Sequence, residues 1–178
     1  MDAIRPMELI ECEPCEEYEF VELTKEESFL VYPLYFALHR HYCASPFFMN
    51  REPETRDAFI ASSRQDDGRY FVAKHNNKIC AFLKISSCGE TFAAMGKNYR
   101  HIRGAYCLPE HRGKGVYQNL LNYAIAILKR EGHTRLGVNF ESFNPTARGF
   151  WLKYFTAYTY SMVRRIDEWI LQGGMLKK

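Results

Sequence analysis

The clearest pattern of hydrophobic and polar positions joins a short apolar stretch at residues 104–108 to an amphipathic segment at residues 116–128. The first stretch has the length of a buried strand and stops at Pro109. In the second, apolar residues recur every three or four positions, which places them on one face of a helix. Cations in its last turn and Gly132 beyond it indicate where the helix ends. The apolar positions are Leu120, Leu121, Ala124, Ile125 and Leu128.

The rest of the pattern predicts further strands at residues 18–23, 70–75, 78–86 and 134–141, and one that begins near Tyr99. Asn76 and Asn77 fit a two-residue hairpin turn between the second and third of these. A capping box at residues 24–27 predicts a helix that Pro33 kinks or divides, and residues 54–63 predict another helix. Residues 156–170 predict the closing strands. The chain is therefore predicted to belong to the α/β (α+β) class.

No linker, repeat or low-complexity tract divides the chain. Residues 1–17 are acidic and irregular, with two prolines, and predict an N-terminal extension or an edge strand. Residues 18–178 predict a single domain, because this length can bury a substantial core.

Two glycines lie between the predicted strand and helix, in the segment RGKG at residues 112–115. Glycine permits positive φ and close approach of a ligand to the backbone. Free N–H groups at the start of a helix, with Arg112 and Lys114 beside them, favour a phosphate or pyrophosphate. A tight turn without a ligand is the alternative. The motifs GxxxxGKS/T and GxGxxG are both absent, which disfavours the binding of nucleoside triphosphates and dinucleotides.

A second segment, at residues 144–155, reads NPTARGFWLKYF. Asn144 is a suitable N-cap and Pro145 suits the first helical position. Ala147, Phe150, Trp151 and Tyr154 can then share one face of a short helix.

Together the two segments resemble the GNAT (Gcn5-related) N-acetyltransferase superfamily. Residues 112–117 are similar to its acetyl-coenzyme A loop, written Q/R-x-x-G-x-G/A, although Tyr117 replaces the last small residue. Residues 144–155 are similar to its NxxAxxL/FYxKxGF segment. The resemblance implies a mixed, mostly antiparallel sheet flanked by helices, and transfer of the acetyl group of acetyl-coenzyme A to a primary amine by direct attack. The cofactor-binding residues it implies are Cys107, Leu108, Arg112, Gly113, Lys114, Gly115, Val116, Tyr117, Asn144 and Trp151.

The resemblance also implies that two splayed parallel strands expose a backbone amide for the thioester oxygen. The family's usual acid is a tyrosine, but Trp151 stands at that position, and an indole cannot act as an acid near neutral pH. Tyr154 is the substitute candidate, and solvent is the alternative source of the proton. For the general base, Glu141 is the best-placed carboxylate, with His101, Glu110 and His111 as weaker candidates. Cys107 has no partner base that would make it an acylated nucleophile.

A coenzyme A-binding sensor or assembly module without catalysis is the alternative function, because Tyr117 and Trp151 both depart from the family pattern. Residues 35–48 are rich in aromatic rings interleaved with His39 and His41. Core packing explains such a stretch, and an acceptor pocket for an apolar or flat amine is the competing hypothesis.

The net charge of +3 and the lack of long charge runs give no indication of nucleic acid or a membrane surface as a partner. No apolar run reaches the roughly 18 residues of a membrane span, and a leader peptide is not apparent, so we expect a cytoplasmic protein. The expected partner is a small-molecule amine acceptor, with a homodimer possible. The six cysteines are expected to be reduced. Cys12 and Cys15 form an isolated CxxC pair, so no metal site is expected.

Overall fold

The computed structural model describes residues 1–44, 48–49, 52–89 and 96–160. Within these residues a sheet of seven strands is flanked by four α-helices. In chain order the elements are β1 (Asp2–Pro6), β2 (Glu19–Leu23), α1 (Tyr32–Cys43), α2 (Arg56–Gln65), β3 (Arg69–His75), β4 (Lys78–Ser86), β5 (Tyr99–Cys107), α3 (Val116–Arg130), β6 (Arg135–Asn139), α4 (Pro145–Tyr154) and β7 (Thr156–Thr159).

The strands are ordered β2-β3-β4-β5-β6-β1-β7 across the sheet. Every neighbouring pair is antiparallel except β5 and β6, which are parallel. The predicted mixed, mostly antiparallel α/β fold is confirmed. The long connection that a parallel pair requires is supplied by α3, which links β5 to β6.

The first strand corrects the interpretation of residues 1–17. β1 lies between β6 and β7 and pairs with both, so it is an interior strand and not an extension or an edge strand. Asp2 and Ala3 are fully buried. The stretch was misinterpreted because five residues ending in proline carry too weak a pattern, and proline usually marks an edge. Here Pro6 is the last residue of the strand, where a missing N–H disrupts little.

Side-chain hydrogen bonds form in the turn before the first helical segment and at the start of α4. Thr24 and Glu27 form the predicted reciprocal capping box, with Oγ1 of Thr24 accepting from the Glu27 N–H and a Glu27 carboxylate oxygen accepting from the Thr24 N–H. A short 3₁₀ helix, Ser28–Val31, follows and leads into α1, whose first turn holds Pro33. The predicted division at this proline is confirmed. Asn144 caps α4 by accepting from the Ala147 N–H at 2.9 Å.

Two hydrophobic layers cover the two faces of the sheet. The five apolar positions predicted for α3 are all fully buried, in the layer that α3 forms with α4. The α1 and α2 helices cover the other face. Of the closing strands predicted at residues 156–170, β7 is observed, and residues 161–170 lie outside the described residues. No described helix combines the length and apolarity that crossing a membrane would require.

Candidate active site

The parallel strands β5 and β6 pair over only four residues each. Their register runs from Tyr99 opposite Arg135 to Ile102 opposite Val138 and then stops. At the same point the register of β5 against β4 shifts, because Lys84 lies opposite Gly104 while Ile85 lies opposite Ile102. Arg103 is therefore the extra residue of a β-bulge, which bends a strand and ends its pairing. Beyond this bulge β5 continues beside β4 alone, and the sheet opens.

A cavity of about 370 Å³ lies at this opening. One wall is the part of β5 that no longer pairs with β6, and the others are the end of α1, the start of α3, the segment after β6 and α4. Eight of the ten predicted cofactor residues line it: Cys107, Arg112, Gly113, Gly115, Val116, Tyr117, Asn144 and Trp151. The tertiary structure thus brings the two sequence segments, about 30 residues apart in the chain, to a single cavity.

The loop before α3 has the backbone that the glycines predicted. Gly113 and Gly115 have φ of +74° and +75°. The first hydrogen bond of the helix runs from the Asn119 N–H to the Gly115 carbonyl. The N–H groups of residues 116–118 precede that bond, so they have no acceptor within the helix. With the positive end of the helix dipole they form a site suited to a phosphate group.

The two cations of the loop differ in position. Nε of Arg112 donates to the Cys107 carbonyl at 2.8 Å, and its guanidinium lies 5.3 Å from the centre of the Tyr106 ring. Arg112 therefore ties the loop to the end of β5. Lys114 is exposed and lies outside the cavity lining.

Leu108 is the other predicted cofactor residue outside the lining. Its N–H donates to the Cys80 carbonyl at 2.9 Å. The backbone N–H of Leu108 is therefore occupied by this hydrogen bond to Cys80. Cys107 lines the cavity, and burial raises the pKa of its thiol to about 12. A thiol that stays protonated at neutral pH is a poor nucleophile.

Tyr117, the large residue of the loop, points its phenol at the sheet. Its hydroxyl donates to the Phe82 carbonyl of β4 at 3.1 Å, and its ring meets those of Phe150 and Trp151 edge to face. Burial raises the pKa of this phenol well above its ordinary value. Tyr117 is thus a cavity wall, and the free amides at the helix start are not covered by its ring.

An N-terminal segment that the sequence left unassigned packs against the loop. Asn119 donates through Nδ2 to the Glu13 carbonyl at 2.8 Å, and the Cys15 thiol donates to the Lys114 carbonyl at 3.0 Å. A Cβ on Gly115 would lie 3.3 Å from Cys15 Sγ. The CxxC pair was visible in the sequence, but nothing there showed that it supports the loop. All six cysteines are free.

The candidates for proton transfer are separated. Glu141, the predicted base, lines the cavity just after β6. Tyr154, the predicted acid, lies outside the lining, and its hydroxyl accepts from Gln118 Nε2 at 3.3 Å. Trp151 is 5% exposed and lines the cavity. Glu141 and Trp151 therefore both line the cavity, whereas Tyr154 does not.

The weaker base candidates also differ in position. His101 is fully buried outside the lining, and burial lowers its pKa to about 4. His111 lines the cavity, with Nδ1 3.0 Å from the Tyr18 hydroxyl, while Glu110 is exposed. Arg103 lines the cavity although no local signal in the sequence points to it. His41 and Tyr42, which belong to the aromatic stretch at residues 35–48, line it as well.

A family model, described as the acetyltransferase (GNAT) family, matches residues 35–155. No curated protein matches the sequence at a significant level. Among solved structures, the ribosomal-protein-alanine N-acetyltransferase from Brucella melitensis biovar Abortus 2308 is similar, with a TM-score of 0.61, 16% identity and coverage of 84% of this chain and 99% of that one.

Two further structures are similar in fold. An aminoglycoside acetyltransferase from an uncultured soil metagenomic sample, in complex with sisomicin, gives a TM-score of 0.60 at 14% identity over 85% of this chain and 95% of that one. AAC(6')-Iy in complex with the bisubstrate analog CoA-S-monomethyl-acetylneamine gives a TM-score of 0.59 at 15% identity, over 84% of this chain and 97% of that one. The matched region spans more than half of the sequence and contains both motifs and the cavity between them. The chain therefore belongs to the GNAT acetyltransferase family.

Proposed function

We propose that the protein transfers the acetyl group of acetyl-coenzyme A to a primary amine of a small molecule. The observation that carries this proposal is the separation of β5 and β6 beyond Ile102 and Val138, next to the free amides at the start of α3. The amides suit the pyrophosphate of a coenzyme, and the opening suits its extended thioester arm. AAC(6')-Iy, which shares the fold, was solved with a coenzyme A bisubstrate analog.

In this proposal the loop residues 113–118 hold the coenzyme through backbone N–H groups. The edge of β5 beyond Arg103 lies beside its acetyl group, where a backbone amide can polarise the thioester carbonyl. The amine attacks the carbonyl carbon directly, because the protonated, buried thiol of Cys107 does not suit an acyl-enzyme route. Acetyl-coenzyme A supplies the activated acyl group, and the chain supplies binding, orientation and proton transfer.

The proposal predicts that acetyl-coenzyme A binds and that its thiol is released in the presence of an amine. Calorimetry with acetyl-coenzyme A measures the first. A thiol-release assay over amino acids, polyamines, aromatic amines and aminoglycosides measures the second. Binding without turnover on any amine would favour the alternative, a coenzyme A sensor, which is supported by Trp151 at the position of the family's acid and by Tyr154 outside the cavity lining. Absence of binding would contradict both.

Glu141 is the carboxylate that we propose to act on the amine, since it lines the cavity beyond the end of β6. A carboxylate there can bind the acceptor in its ammonium form through a charge-assisted hydrogen bond. Replacement by Gln keeps the shape and removes the charge. We expect Glu141→Gln to lower kcat/KM at least tenfold while acetyl-coenzyme A affinity changes less than twofold. Steady-state kinetics with the amine varied measure this, and full activity at neutral pH would exclude the role.

A further inference from the structure

We propose that His41 is the base that removes the proton from the acceptor amine, an inference that rests on the proposed acetyl transfer. His41 lies near the end of α1, and its side chain lines the cavity together with Leu38 and Tyr42. These three residues form a wall of the cavity that also contains the part of β5 beyond its pairing with β6. The coenzyme loop and α4 form other walls, so the α1 wall is the side from which an acceptor would approach.

A ring contact places His41 beside the reacting part of the strand. The centres of the His41 and Tyr106 rings are 6.2 Å apart. Tyr106 lies beyond the bulge, on the stretch of β5 that pairs with β4 alone and precedes Cys107. The guanidinium of Arg112 lies 5.3 Å from the centre of the same Tyr106 ring. Tyr106 therefore contacts both the imidazole and the coenzyme loop, so a group held at this edge of β5 lies near His41.

The surroundings of His41 keep the imidazole neutral. Burial, and then the positive charge of Arg112, lower its pKa below the ordinary range. The unprotonated nitrogen of a neutral imidazole can accept a proton at neutral pH. Among the described residues, the other charged or titratable groups that line this cavity are Arg103, His111, Arg112, Glu141, Tyr42, Tyr106, Cys107 and Tyr117.

Of the described lining groups, Glu141 is the one that carries a negative charge at neutral pH. It is suited to hold an acceptor in its ammonium form, while His41 takes the proton. The ammonium nitrogen gives one proton to the imidazole, which becomes imidazolium. The freed electron pair forms the N–C bond to the acetyl carbonyl, the C–S bond breaks, and its electrons leave with sulfur. The second proton lost by nitrogen neutralises the thiolate, directly or through solvent, and His41 releases its own proton to solvent.

His39 provides a matched control on the same helix. Its ring packs 4.4 Å from the centre of Tyr35, and it does not line the cavity. The His39→Gln variant makes the same chemical change as His41→Gln, on the same helix and two residues away. A loss of activity that came only from disturbing the helix would therefore appear in both variants.

The experiment compares His41→Gln, His41→Ala and His39→Gln with the unmodified protein. We expect kcat/KM to fall about 100-fold or more in both His41 variants, within the usual range for a general base, and to stay within twofold in His39→Gln. The unmodified enzyme should lose activity as pH falls through the lowered pKa of His41, since only the neutral ring accepts a proton. His41→Gln should lack this acid limb, and added imidazole should restore part of the turnover of His41→Ala.

Two measurements independent of turnover complete the test. Calorimetry should show acetyl-coenzyme A binding to His41→Gln within twofold of the unmodified protein. An NMR titration of the His41 ring protons should give a pKa that coincides with the acid limb of activity. A fully active His41→Gln enzyme with an unchanged pH profile would overturn this inference alone. Failure of the unmodified protein to acetylate any amine would overturn the proposed function as well.

Discussion

Replacing Gly115 with valine is expected to weaken acetyl-coenzyme A binding by about tenfold or more. Gly115 has φ of +75°, a region that costs an L residue about 1–2 kcal/mol and that β-branched residues almost never adopt. Its new Cβ would also lie 3.3 Å from Cys15 Sγ, which is hydrogen-bonded to Lys114. The variant loop would relax to another conformation, and binding would require the strained one again. Since about 1.4 kcal/mol is a tenfold change in affinity, a loss of this size follows from the backbone alone.

Gly132→Val is the matched control for this loss. Gly132 has φ of +88°, lies just after α3 and has open space where a Cβ would be built. The Gly132→Val substitution therefore introduces the same kind of backbone strain at the opposite end of the same helix. Calorimetry should give unchanged coenzyme affinity for Gly132→Val, with lowered stability in urea. Equal losses of affinity in the two variants would show that helix stability, and not the loop backbone, controls binding.

Replacing Gly137 with alanine is expected to destabilise the fold by about 3 kcal/mol or more, the upper part of the range for overpacked cores. Gly137 lies in β6, opposite His101 of β5 and Ile4 of β1. A Cβ would come within 1.7 Å of the Tyr99 hydroxyl and 2.9 Å of His101 Nδ1. Tyr99 is 7% exposed and His101 is fully buried, so neither ring has room to move. Urea unfolding should show the loss, with a melting temperature lowered by about 10 °C.

Gly149→Ala is the control for this substitution. Gly149 lies inside α4, is exposed, and has nothing within 4 Å of an added Cβ. Alanine there should stabilise the protein by about 0.5–1 kcal/mol, because glycine is a poor helix former. The free energy of unfolding is therefore expected to fall in Gly137→Ala and to rise in Gly149→Ala. Equal and small effects would mean that Tyr99 does not pack over β6 as described.

Much of the secondary structure follows from local chemistry and was predicted for that reason. The Thr24 and Glu27 capping box, the Asn76 turn with φ of +49° and the Asn144 cap each depend on a few neighbouring residues. The two positive φ angles of the loop before α3 follow from Gly113 and Gly115 in the same way. Such features need no knowledge of distant parts of the chain.

In the candidate site, the loop and α4 could be predicted from the sequence, but the groups for proton transfer could not. The loop before α3 and the α4 helix carry the two sequence motifs of the family resemblance, and the cavity lies between them. The acid and base could not be assigned in the same way, because a role in proton transfer depends on which side chains reach the cavity. Tyr154 and Trp151 share a helix, yet only Trp151 lines the cavity. Arg103 and His41 line it without any neighbouring motif.

Short-range periodicity, capping and glycine positions were enough to indicate the family resemblance, the order of most elements and the backbone of the loop before α3. Three relations exist only in the folded chain: residues 2–6 form an interior strand, residues 13–15 support the loop, and α1 brings His41 to the opening between β5 and β6. These relations join residues up to about 140 positions apart. Pairing and packing between such distant segments depend on the assembled sheet, so no local pattern records them.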